Sequence, residues 1–148
     1  MLHITDPHLF AEPDECLRGI NTRATLQAVL DHVREADWQA EFVALTGDLV
    51  QDDSREAYRR VHSLFGSLQL PVYCVPGNHD VREIMREELR APRFRYCAAI
   101  RHDDWMVVGV DSCLQGEAAG HVDAAELERL AACLAETDAA QADACMRG

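Results

Sequence analysis

Three short apolar runs along the chain end in polar residues of one kind. Phe42-Val43-Ala44-Leu45 passes through Thr46 and Gly47 to Asp48. Leu2-His3-Ile4-Thr5 runs into Asp6-Pro7-His8, and Val72-Tyr73-Cys74-Val75-Pro76 runs into Gly77-Asn78-His79-Asp80. Runs this short predict strands over 1–5, 42–46 and 72–75, with the central one buried on both faces. Gly47 lets the chain turn where its strand stops. Between these runs the apolar spacing becomes helical. Leu26, Val29, Leu30 and Val33 follow i, i+3, i+4, i+7, which predicts a helix over 22–38 capped by Asn21 or Thr22. Tyr58, Val61, Leu64, Phe65 and Leu68 mark a second over 54–68, opened by a capping box at Asp53-Ser54-Arg55-Glu56. Asp80 and Glu83 read as caps of a short helix that reaches Leu89 and is stopped by Pro92. The order β-α-β-α-β-α predicts parallel strands.

The pattern then changes. Residues 95–100 and 105–110 predict two strands joined at His102-Asp103-Asp104 as a hairpin. Asp123 and Glu126 cap a last helix over 123–136, with Leu127, Leu130 and Leu134 on one stripe. The alanine-rich stretch 137–148 carries no periodicity. The 148 residues suit one domain, with no linker or repeat to divide them.

Composition narrows the functional classes. Hydrophobic residues make up 48% of the chain and charged ones 27%, enough for a core under an ordinary polar surface. The net charge of −12 repels nucleic acid and anionic membrane. The six cysteines form no Cys-x-x-Cys pair, which excludes zinc knuckles and reads as reduced thiols. The N-terminus has no basic region followed by an apolar run, and no apolar stretch nears ~18 residues. A cytoplasmic protein is expected. Self-association is left open.

Asp6, His8, Asp48, Asn78 and His79 all stand at the carboxyl ends of predicted strands, where open α/β sheets bind ligands. Each also has a plain reading. His8 and His79 suit surface loops, Asp48 suits a turn, and Asn78 suits a left-handed turn beside Gly77. Composition alone yields roughly 0.7 Asp-x-His pairs, but only about 0.0005 copies of Gly-Asn-His-Asp. The second motif therefore carries the weight. His3, His32, His62 and His102 read as structural or exposed. Gly120-His121-Val122-Asp123 reads as the approach to a helix cap.

The three motifs, in this order and spacing, resemble the calcineurin-like metallophosphoesterase family. The finer similarity is to its bacterial 3′,5′-cyclic-nucleotide phosphodiesterase branch. It is carried by Ile4-Thr5-Asp6-Pro7-His8-Leu9-Phe10, Gly19-Ile20-Asn21-Thr22, Thr46-Gly47-Asp48-Leu49-Val50, residues 73–80, Asp111-Ser112 and the stretch from Gly116 to Leu127. The resemblance implies a four-layer α/β/β/α sandwich lacking its C-terminal part. It implies two divalent cations such as Fe²⁺ or Mn²⁺. Asp6 and His8 would hold the first, Asp48 would bridge both, and Asn78 would hold the second. His79 would not be a ligand; it would face the phosphate and help the leaving oxygen depart. His8, Asp48, Asn78 and His79 would line the phosphate site. The implied reaction is hydrolysis of a small phosphodiester such as 3′,5′-cyclic AMP by water activated between the two metals.

The family pattern also calls for a later His and a Gly-His-x-His. Neither follows Glu136. Three functional readings stay open on the sequence: a metal-dependent phosphodiesterase, an inactive fragment, and a metal- or nucleotide-binding regulatory module. Phosphomonoesterase and nuclease branches share the core motifs.

Overall fold

The structure, a computed structural model, describes residues 1–36, 39–103 and 105–146. Four parallel strands form one sheet in the order β1-β2-β3-β4: Leu2–Thr5, Val43–Thr46, Val72–Val75 and Phe94–Tyr96. The pairing is in register, so Leu2, Val43, Val72 and Phe94 make one row across the sheet. Side chains alternate faces along a strand. That row, with Leu45 and Cys74, points at the helices α1 (Thr22–Glu35), α2 (Arg55–Gly66) and α3 (Arg82–Glu88). Leu26 and Leu30 of α1, Tyr58, Val61 and Phe65 of α2, and Met85 of α3 complete this core.

The α/β class expected from the sequence is present, and the three predicted strands fall within a residue of their expected bounds. Several local readings need correction. The central strand is not buried on both faces: Val43 and Leu45 are buried, whereas Ala44 and Thr46 are half-buried. The helical stripe of α1 is narrower than its spacing implied, with Val29 45% exposed. That helix stops at Glu35, and Trp38, its expected end, lies outside the described residues.

The cap of α2 is Ser54, whose hydroxyl accepts from the Ala57 amide, rather than Asp53, which takes a left-handed turn at φ 55°. Asn21 caps α1 as expected, accepting from the Ala24 amide. Asp80 caps nothing. The N-cap of α3 is Val81, without a side-chain bond, and Asp80 is drawn into the core.

The expected strand over 95–100 divides in two. Cys97 adopts φ 43°, a left-handed kink that ends β4 on the first sheet. The chain then enters β5 (Ala99–His102), which pairs antiparallel with β6 (Trp105–Val108) in a second, two-stranded sheet. The hairpin is therefore present, although Asp104 of its turn lies outside the described residues. Ala44, Tyr73 and Val75, on the first sheet's far face, border a cavity of about 160 Å³ with Val107 and Val110. The last helix, α4 (Ala124–Met146), is capped by Asp123, which accepts from the Glu126 amide. It runs past the expected end at 136 into the alanine-rich stretch. Its stripe is not buried: Leu127 and Leu134 are 54% and 50% exposed. Among the described residues, no helix is long and apolar enough to cross a membrane.

Candidate metal centre

The loops after β1, β2 and β3 meet because their strands are neighbours. The contact is made by backbone first. The Asp6 amide donates to Gly47 C=O (3.2 Å), His8 to Asp48 C=O (2.9 Å), and Gly47 to Val75 C=O (3.0 Å). Asp6, His8 and Asp48 have φ of 52°, 43° and 45°. Three non-glycine residues in the left-handed region, all bearing candidate ligands, place strain where side chains must converge.

His8 Nε2 lies 3.8 Å from Asp6 Oδ1 and 3.8 Å from Asp48 Oδ2. Ligand atoms of His8, Asp48 and His79 all lie within 4.8 Å of one another. The two imidazoles meet edge to face, centroids 5.3 Å apart. A spacing of 3.8 Å is too long for a hydrogen bond. Two donors about 2.1 Å from one cation stand between about 3 and 4.3 Å apart, so the separation fits ligands around an ion. His8 Nδ1 is buried with no hydrogen-bond partner, a cost that fixed polar atoms incur mainly at functional sites. The donor set therefore fits a divalent metal. Asp6 stands at the rim, 56% exposed, taking a hydrogen bond from the Thr5 hydroxyl.

Gly77 shows how close the second and third loops come. A Cβ there would fall well inside contact distance of Asp48 Oδ1 and N, and 2.9 Å from Asp48 Cγ. Only glycine lets the third loop lie against the Asp48 carboxylate. The His79 amide then donates to Asp48 Oδ1 at 3.0 Å. Asn78 sits between these two residues, half-buried, its C=O accepting from the Gly116 amide at 2.9 Å.

Asp80 fastens this arrangement from behind. Its carboxylate, fully buried, accepts from the amides of Leu49 (3.1 Å to each oxygen), Val50 (3.4 Å) and Gly77 (2.8 Å), and from the Tyr58 hydroxyl (3.0 Å). Burial pushes its carboxyl up, and these hydrogen bonds pull it back without cancelling the effect. One side chain thus ties the second and third ligand loops to α2. Tyr58 completes the knot by accepting from the Val81 amide at 2.8 Å.

Asp111, part of the expected match, lies outside the cluster. Arg82 grips it with two hydrogen bonds (2.8 and 2.9 Å), and the Tyr96 hydroxyl donates to it at 2.7 Å. Burial pushes Asp111 up, but Arg82, Tyr96 and the Cys113 amide outweigh that and hold its carboxyl below the usual range. This network joins α3 to the segment leading to α4.

Of the expected site residues, Asp6, His8, Asp48 and His79 converge, and Asn78 is in the loop among them. His3, His62 and His102 are engaged elsewhere, with Thr46, Phe94 and Glu41 respectively. His121 is exposed, as expected of a residue before a helix cap. Two contributors lie outside the expected set: Asp80, whose place before α3 resembles that of a cap, and Gln51, whose side-chain amide lies 3.2 Å from His79 Nδ1. Its position three residues after Asp48 was the available signal.

Residues 1–127 match the family model for calcineurin-like phosphoesterases, and the chain belongs to that family. Among similar proteins, the 3′,5′-cyclic adenosine monophosphate phosphodiesterase CpdA of Escherichia coli K12 is 34% identical over 140 residues, 92% of this chain and 50% of that protein. The CpdA of Haemophilus influenzae is 34% identical over 134 residues, 88% and 48% of the two chains. A 3′,5′-cyclic-nucleotide phosphodiesterase of Nostoc is 29% identical over 127 residues, 86% and 48%. The chain spans about half the length of these relatives.

Proposed function

We propose that this chain supplies the metal- and phosphate-holding part of a metal-dependent phosphodiesterase acting on a small cyclic nucleotide such as 3′,5′-cyclic AMP. The observation that carries the reading is the convergence of His8, Asp48 and His79 ligand atoms within 4.8 Å at the ends of adjacent strands. Asp6, His8 and Asp48 would hold the first divalent cation. Asp48 would be shared with a second, to which Asn78 offers its amide oxygen. Bound metals of this kind polarise a phosphoryl oxygen and acidify water. The mixed nitrogen and oxygen donors favour iron, manganese, zinc or cobalt over calcium.

The chain's own residues do the rest. Asp48 offers one oxygen to the site while its other oxygen holds the His79 amide. His79 presents its ring to the departing oxygen of the phosphodiester. A neutral imidazole and a neutral amide limit the negative charge of the cage, which favours an anionic substrate. A cytoplasmic place suits Cys16, Cys74, Cys97 and Cys113, which form no disulfide.

A second reading, binding without turnover, is favoured by one fact: the described residues contain a single cluster of this kind. Both readings are tested on the purified chain. Mn²⁺ binding by electron paramagnetic resonance and hydrolysis of cyclic AMP are measured on the purified chain. One weakly bound Mn²⁺ and negligible hydrolysis are expected for the chain by itself, because Asp48 and Asn78 alone hold a second ion poorly. In a form with turnover, His79→Ala should slow hydrolysis about 10²–10⁴-fold and leave Mn²⁺ bound. Loss of Mn²⁺ on that substitution would refute the role given to His79.

A further inference from the structure

Away from the metal centre, Ala11, Arg23, Glu56, Arg59, Arg60 and Ser63 border a cavity of about 440 Å³ beside α1 and α2, and none of the converging ligands lines it. Arg23 Nε donates to Pro13 C=O at 3.2 Å. Arg60 Nε donates to Phe10 C=O at 3.1 Å, and its Nη2 donates to Ala11 C=O. These carbonyls satisfy donors without neutralising charge. Arg59 is matched by Glu56 and Glu88, as Arg34, Arg55, Arg82 and Arg129 are matched by carboxylates elsewhere. Arg23 and Arg60 have no carboxylate partner among the described residues. Asp52, on the neighbouring loop, is taken by the Ala11 and Ser54 amides.

We propose that this cavity is a metal-independent binding site for a phosphate dianion, free or as a phosphomonoester. Both residues are half-buried, so water and salt screen their charge less than that of a fully exposed arginine. Both keep N–H groups beyond those given to the carbonyls: Nη1 and Nη2 of Arg23, and Nη1 of Arg60. A guanidinium presents such donors as a planar fork that fits phosphate oxygens two at a time. Two unmatched positive charges call for two negative ones. A phosphomonoester carries nearly that at neutral pH, whereas a cyclic phosphodiester carries one. Pockets of about 300–1,000 Å³ hold small ligands, so there is room for a group attached to the phosphate. The chain's net charge of −12 does not forbid the site. Repulsion between exposed charges is screened beyond about 8 Å, and contacts inside the cavity are shorter. The site stands apart from the phosphodiesterase reading and does not rest on it.

The test is calorimetric titration of the chelator-treated chain, at about pH 8, with inorganic phosphate, adenosine 5′-monophosphate and cyclic AMP. The first two should bind, and cyclic AMP should bind at least about tenfold more weakly. A nucleotide held more tightly than phosphate would make the nucleoside part of the ligand; equal affinities would assign the site to the phosphate group alone. Arg23→Gln should weaken phosphate binding at least about tenfold. A second variant leaves the contacts with residues 10–13 intact. Ser63 is exposed, and Ser63→Glu places a carboxylate three and four residues from Arg60 and Arg59 on α2, where it takes the ligand's place. It should abolish binding, while Ser63→Gln keeps the affinity within about twofold of the wild type. Undiminished phosphate binding by Ser63→Glu, or no binding by the wild type up to about 10 mM phosphate, overturns the proposal. With the metal removed and its ligands unaltered, neither result bears on the functional reading of the metal centre.

Discussion

Gly47 and Gly77 face each other across the site, and replacing each by alanine should fail for a different reason. At Gly77 the problem is space. The added Cβ collides with Asp48 Oδ1, which a side-chain rotation could relieve, and with Asp48 N, which is backbone and cannot turn away. Overpacking against a fixed neighbour costs about 1–3 kcal/mol, and this contact belongs at the upper end. For a chain of this size that lowers the melting temperature by roughly 6–12 °C. The same displacement breaks the His79–Asp48 hydrogen bond and weakens Mn²⁺ binding. At Gly47 there is room, the nearest atom being Gly77 Cα at 3.7 Å, but φ is +73°. Alanine there incurs only the left-handed backbone penalty of about 1–2 kcal/mol. Asparagine tolerates that conformation better than alanine and is larger. So Gly47→Asn should melt above Gly47→Ala, whereas Gly77→Asn should melt below Gly77→Ala. Thermal unfolding followed by circular dichroism checks the order. If Gly77→Ala melts within about 2 °C of the wild type, the close approach of the two loops is wrong.

Two further substitutions probe the supports of the site. Tyr58→Phe strands the Val81 amide and removes one donor from Asp80, so urea unfolding should show a loss of about 1–3 kcal/mol with an unchanged slope. Asp111 is held below the usual carboxylate range, so the unfolded chain binds its proton first as pH falls. The stability it gives is complete above about pH 4, the unfolded value, and is lost as pH drops through the lower folded value. Asp111→Asn should therefore flatten the acid limb of the stability curve below about pH 4, measured by denaturant titration at several pH values; an unaltered limb would dissociate the Arg82–Asp111 pair from acid stability.

The strands and the cluster were legible because both are local statements. An apolar run followed by Gly-Asp or Gly-Asn-His specifies a strand end and the residue it delivers, and parallel neighbours bring such ends together. What covers a surface is not a local statement. The spacing of Leu127, Leu130 and Leu134 names a helix face, yet nothing in that spacing says whether another element lies on it. Asp80 was misread for the same reason. A carboxylate two residues before a helix looks like a cap from its neighbours, while all but one of its donors, those from Leu49, Val50 and Tyr58, come from more than twenty residues away. The division of 95–100 depended on a left-handed cysteine, a conformation that residue type rarely advertises.

The left-handed backbone at Asp6, His8 and Asp48 sets a conflict for any improvement of this protein. At all three positions glycine would relieve a left-handed backbone penalty of up to about 1 kcal/mol, with least lost in exchange at Asp6, whose side chain is mostly exposed. Each would also delete a candidate ligand. A library screened only for heat resistance should therefore drift toward glycine at residues 6, 8 and 48 and discard the metal centre in the process. A screen that must preserve it has to hold those codons fixed and seek its gains elsewhere, for instance on the exposed stripe of α4.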